Sequence, residues 1–253
     1  MRSILNLKTT TKKSQMNNII KRSLGDFLTF RFILLSFLPL VVSLVSLVGL
    51  VIYFGDDIFN IFAQPQIQIY IDQGGFIAWL LSLSFVKFMI TSSFYVVGIF
   101  LAIILSVIIA AIITGFLTPY IVKFINQKYY NYNTTPLPSN FRVFKAIGVT
   151  FIKFILIFLI CIPLLFIPVV NLFILNLPFF YLFYRLILID IASNTSDSLI
   201  FEIDLQKGGG IKFFSASVLF YIITLIPFVG LFLQIYFVIF LSHVLLEKNS
   251  KGF

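Results

Sequence analysis

Apolar residues run in long uncharged stretches along this chain, and the last two stretches are broken near their middles by the same short sequence. No Asp, Glu, Lys or Arg occurs from Phe154 to Tyr184 or from Phe213 to Leu246. Within them, Ile167-Pro168-Val169-Val170-Asn171-Leu172-Phe173 recurs 59 positions later as Ile226-Pro227-Phe228-Val229-Gly230-Leu231-Phe232, with five of seven positions identical. The limbs that lead to the break, Phe154–Ile167 and Phe213–Ile226, have 14 residues each. At ~1.5 Å rise per residue, such a limb reaches ~21 Å, short of a hydrocarbon core of ~30 Å. Proline cannot donate a backbone hydrogen bond, and the Asn or Gly three positions on favours a turn. The pattern predicts two helical hairpins that penetrate the bilayer partway. Their turns carry Pro168, Pro227 and Gly230, with Asn171 at the first tip. Full spans kinked at the prolines are the alternative. Irregular backbone at such depth persists only where protein or a water-filled path satisfies its polar groups, which is a transport-like arrangement.

Upstream, Phe32–Phe54 has the length of a full span and contains Pro39. Phe88–Val122 is longer than one crossing needs and predicts a tilted helix ending near Pro119. Phe76–Val86 is too short to cross and stops at Lys87. Over Asn17–Arg31, Ile19, Ile20, Leu24, Phe27 and Leu28 recur at helical spacing and predict an interfacial helix. Asn131–Asn140 predicts a turn, Phe141–Lys153 an amphipathic lead-in to the first hairpin, and Arg185–Lys212 a mixed-charge loop. The fold class is an all-α integral membrane protein with two long transmembrane helices plus two Pro-broken, partly penetrating helical hairpins. Residues 1–16 are expected as a disordered basic tail and 17–253 as a single membrane domain, with Met16 as an alternative start.

Composition agrees. The chain is 60% hydrophobic with 33 Phe, more apolar surface than a soluble domain of 253 residues can hide. A lone Cys161 excludes a disulfide framework, and a lone His243 cannot build a zinc site, so no metal or cofactor is expected. The net charge of +9 follows the membrane pattern. Seven of 18 basic residues precede the first apolar run, five more lie within Lys123–Lys153, and Gly55–Gly75 carries three Asp and no cation. The positive-inside rule puts the amino terminus and the 123–153 segment in the cytoplasm, and with four crossings or two re-entrant hairpins both termini are cytoplasmic. Charge so distributed points to a lipid bilayer as partner and not to nucleic acid. Enzymatic readings have no support: Lys207-Gly208-Gly209-Gly210 lacks the ending of a phosphate-binding loop, and no nucleophile elbow or metalloprotease spacing occurs.

The order of parts, from a basic amphipathic start through one span, an acidic outer loop and a very long helix to two Ile-Pro-centred hairpins, resembles the CysZ/EI24 family of bacterial inner-membrane proteins. The resemblance covers roughly residues 17–248. Its most specific pieces are Phe166–Asn171, Thr224–Phe232, Phe37-Leu38-Pro39-Leu40 and Thr118-Pro119-Tyr120. It implies an oligomeric sulfate permease in the inner (cytoplasmic) membrane; with no catalytic constellation and no ATP-binding motif in the sequence, the expectation is a non-enzyme with a passive or ion-coupled path. The family's Gly-(Leu/Ile)-Arg sulfate motif is matched only by Arg31, Gly25 lying a turn earlier and followed by Asp26. Arg31 is read as either an anion ligand or an interfacial anchor. Arg185 is read as lining a path, pairing with Asp190, or anchoring the hairpin. Arg22 is a lipid-surface contact or part of the path, and Asn171 a pore-lining or turn-satisfying residue. A non-transporting membrane scaffold on the same fold is the alternative function.

Overall fold

The computed structural model describes residues 16–58, 68, 69, 72, 74–166, 174, 176–226 and 229–251, and all regular structure among them is helical. Helix α1 spans Met16–Phe27. It is followed by α2 (Phe30–Ile58), α3 (Gly75–Ser82), α4 (Ser84–Ile125), α5 (Asn140–Cys161), α6 (Asn176–Thr195), α7 (Ser198–Lys207), α8 (Ile211–Thr224) and α9 (Val229–Ser250). A π-helical turn, Asn126–Tyr130, follows α4, and a 3-10 turn, Pro163–Phe166, follows α5. The chain forms two compact units, residues 1–37 with 114–253, and residues 38–113.

The two long helices stand where the apolar runs put them. With 29 and 42 residues, α2 and α4 extend about 44 and 63 Å, each longer than a hydrocarbon core of ~30 Å. Lys87 and Pro119, expected at helix ends, both lie inside α4. Past Pro119 the helix is held by packing, because Ile121, Val122 and Ile125 are fully buried. It stops only after the π-turn, where Asn131 takes a left-handed conformation with φ 48°.

Among the described residues, α5, α6 and α9 are each long and apolar enough to cross a membrane, and the bent pair α1–α2 adds a fourth if it is one span. The protein is therefore a multi-pass membrane protein. Helix α5 has 22 residues, longer than the 14-residue limb expected before the first break. Ser139 caps it by accepting from the Arg142 backbone N–H at 3.5 Å, so the lead-in is part of the same helix. In the second pair, α8 has 14 residues. Pro168, Asn171 and Pro227 lie outside the described residues.

Residues 185–212 are not a loop. Helix α6 continues to Thr195, and α7 occupies most of the remainder. Asp197 starts α7 by accepting from the N–H groups of Leu199 (3.0 Å) and Ile200 (2.8 Å). Gly208, at φ 62°, ends it. Its Cα faces the Tyr184 hydroxyl, which donates to the Gly208 carbonyl at 2.6 Å.

Helix α9 is the centre of the larger unit. About two thirds of its apolar length is buried (67%), against 6% for α5, so α5 presents its apolar side outward. Phe220 of α8 stacks on Phe237 at 4.4 Å and meets Phe240 edge-on at 5.3 Å. Gly230 permits the close approach of these two helices, since a Cβ there would lie 2.7 Å from Thr224 Cα.

The interfacial helix is rolled relative to its expected stripe. Ile19, Ser23, Asp26 and Phe27 are buried, whereas Ile20, Leu24 and Leu28 form a separate exposed apolar row. An aspartate therefore sits on the inward face.

Candidate functional site

Helix α1 delivers Asp26 to a pocket closed by the π-turn and by α9. The side chain is 1% exposed and its carboxylate accepts three hydrogen bonds. Lys128 Nζ donates to Oδ1 at 2.6 Å, Tyr129 Oη to the same oxygen at 3.0 Å, and His243 Nε2 lies 3.3 Å from Oδ2. An ionised carboxylate only accepts, so Nε2 carries the proton and, in the neutral ring, Nδ1 accepts from Tyr130 Oη at 3.0 Å. Burial by itself would raise the Asp26 carboxyl; the bonds from His243, Lys128 and Tyr129 outweigh it and hold the group below its usual value. The Asp26 bond in turn raises the Lys128 ammonium. Burial, then the Glu247 carboxylate, pushes the Tyr130 phenol up to about 12, so it stays a neutral donor.

Two further polar sets lie in the same unit. Asp204, fully buried, accepts from Lys248 at 2.5 Å, Ser196 at 2.8 Å and Asn249 at 3.1 Å, which fastens α7 to the end of α9. Between helices, Thr118 donates to Asp190 Oδ2 at 2.6 Å and Thr114 to Gln234 Oε1 at 2.9 Å. Polar residues this far inside apolar helices mark pathways or fix helix contacts.

The cations expected at a site are placed as follows. Arg31 is exposed in the first turn of α2, with its guanidinium 4.7 Å over the Tyr120 ring. Arg22 is exposed and lies 5.2 Å over Tyr129. Arg185 does not pair with Asp190, which falls on a different side of α6. Instead Arg185 Nη1 donates to the Leu205 carbonyl of α7 at 2.7 Å. Arg22 and Arg31 thus share one end of the unit, and Arg185 belongs to the α5–α6–α7 corner. Gly230 is buried in the α8–α9 contact, and its N–H bonds the Ile226 carbonyl at 3.2 Å.

Sequence reasoning did not mark Asp26, Lys128, Tyr129, Tyr130, Asp190, Asp204 or Lys248 as a connected set. A signal existed for Asp26, which lies seven residues after Ile19 and so on the same helical face. Nothing local pointed to its partners, which are 102, 103 and 217 positions away. Among the described residues no group of three His, Cys, Asp or Glu side chains could hold a metal.

The family model described as sulfate transporter CysZ/etoposide-induced protein 2.4 matches residues 19–234. No curated protein and no solved structure matches the chain.

Proposed function

Because the chain belongs to the CysZ/EI24 family, we propose that it is an inner-membrane permease for a small inorganic anion, sulfate being the expected cargo, by a passive or ion-coupled path with both termini in the cytoplasm. The observation that carries the reading is the state of Arg31. It stands exposed in the first turn of α2, stacked on Tyr120, with no carboxylate in ion-pair range among the described residues. Stacking on an aromatic face holds the guanidinium fork ready for a planar or tetrahedral oxyanion. Asp26, the acid nearest in sequence to Arg31 and one that an anion would avoid, is buried and fully engaged by Lys128, Tyr129 and His243. Its charge is taken up inside, which leaves Arg22 and Arg31 to set the sign of that surface.

The test is radiolabelled sulfate uptake into proteoliposomes containing the purified protein, beside empty vesicles and an Arg31→Ala preparation. A charge-assisted hydrogen bond contributes about 1.5–3 kcal/mol, so uptake should fall roughly tenfold or more in the variant. Arg31→Lys should restore part of it, since a point charge replaces the fork. Absence of uptake by the inserted wild-type protein, or equal uptake by Arg31→Ala, would overturn the reading and leave a non-transporting scaffold in its place.

A further inference from the structure

We propose that the corner formed by α5, α6 and the end of α7 is a binding site for an anionic phospholipid of the surrounding bilayer. A cleft of ≈640 Å³ opens there. Lys153, Arg185 and Lys207 line it, together with Leu156, Ile157 and Ile160, and no Asp or Glu does. The volume falls within the ~300–1,000 Å³ range of sites for organic ligands. A lone tetrahedral oxyanion would leave most of it unfilled.

The apolar lining continues from one of the cations along a single helix. Leu156, Ile157 and Ile160 follow Lys153 along α5 within two turns, toward the middle of the apolar stretch. A phosphodiester headgroup among the three cations therefore places an acyl chain along Leu156 and Ile160, both of which are exposed (54% and 70%). Charge complementarity and apolar continuity select the same occupant.

Arg185 separates this site from ordinary snorkelling, in which a long cation reaches loosely for any headgroup. Its Nη1 is fixed by the Leu205 carbonyl at 2.7 Å, and its Nε is buried with no hydrogen-bond partner. With one nitrogen fixed and another enclosed, the guanidinium is held in place at the cleft, where its remaining donors suit a phosphate oxygen. The Tyr184 hydroxyl, bonded to the Gly208 carbonyl at 2.6 Å, holds the end of α7 against α6 and so keeps Lys207 at the rim. The site stands apart from Arg31, and either can fail without the other.

Native mass spectrometry of the full chain in detergent, titrated with phosphatidylglycerol or with phosphatidylcholine, tests the proposal. Phosphatidylglycerol should be retained preferentially. A cation near the lipid surface contributes enough that removing one should lower the preference about fivefold. Arg185→Gln removes the fixed donor. Lys153→Glu reverses a charge at an exposed position that makes no ion pair among the described residues, so the test survives if Arg185→Gln loosens α7. In both, phosphatidylcholine retention should stay as in the wild type. Equal retention of the two lipids, or an unchanged preference in folded Lys153→Glu, would overturn the proposal. Displacement of bound phosphatidylglycerol by millimolar inorganic phosphate would also overturn it, by showing a free-oxyanion site.

Discussion

Replacing Asp26 by Ala should destabilise the protein more than any change at its exposed partner, and the difference can be worked from the contacts. The carboxylate is 1% exposed and accepts from three donors. Loss of the acceptor leaves His243 Nε2–H, on a fully buried side chain, without a partner, at a cost of about 1–3 kcal/mol. The Lys128 side chain is 45% exposed and can return to water, so its share is about 0.2–1 kcal/mol. With Tyr129 included, the total is about 3 kcal/mol, the lower end of the ~3–5 kcal/mol found when one member of a buried ion pair is removed. For a chain of this size, 1 kcal/mol moves Tm by about 2–4 °C, so Asp26→Ala should lower it by roughly 6–12 °C. Lys128→Met leaves the carboxylate its bonds from Tyr129 and His243 and should lower Tm by less than Asp26→Ala does. The assay is loss of monodisperse protein on size-exclusion chromatography after heating in detergent. In the double variant, the Lys128 change should add almost nothing to Asp26→Ala, because the shared contact is already gone. Equal shifts for the two single variants, or no shift for Asp26→Ala, would refute the view that the buried histidine side of the network carries the energy.

Two further outcomes follow from the same geometry. A carboxyl held below its usual value of 3.8 stabilises the folded state at higher pH and loses that contribution as pH falls past the unfolded and then the folded value; Asp26→Asn should therefore flatten the acid limb of a stability profile below about pH 4, and an unchanged limb would contradict the assignment. Gly230→Ala should loosen the α8–α9 contact, since the new methyl would meet Thr224 backbone at 2.7 Å; overpacking of this kind costs about 1–3 kcal/mol, and a melting curve equal to the wild type would show that the helices shift apart freely.

The large features of the fold were legible because membrane helices advertise themselves by uninterrupted apolar length. Phe32–Phe54 and Phe88–Val122 lie inside α2 and α4 for that reason. Where polar residues carried helical structure, reading by hydropathy failed. Asn194–Ser198 reads as a loop by composition, yet Asp197 is a helix cap and Lys207-Gly208 a helix end, both visible in the sequence as capping signals. Lys87 and Pro119 read as helix boundaries for the same reason of composition; packing of Ile121, Val122 and Ile125 carries the helix past Pro119, whereas Lys87 is an exposed residue of its first turn. The candidate cations were found individually, because a lone Arg at the margin of an apolar run is conspicuous. Their surroundings were not, since Tyr120 under Arg31 and Leu205 beside Arg185 are brought there by packing between helices.

The bond between Asp26 and His243 joins residues 217 positions apart, which sets an order on biogenesis. At ~5–20 residues per second of synthesis, α1 waits about 10–40 s for its partner to be made. During that interval its aspartate has no histidine to meet, and its exposed row of Ile20, Leu24 and Leu28 is the side suited to the bilayer surface. Lys128 and Tyr129 can meet Asp26 earlier, but the network closes only once α9 is in place, and a chain interrupted before His243 leaves the second carboxylate oxygen without its histidine.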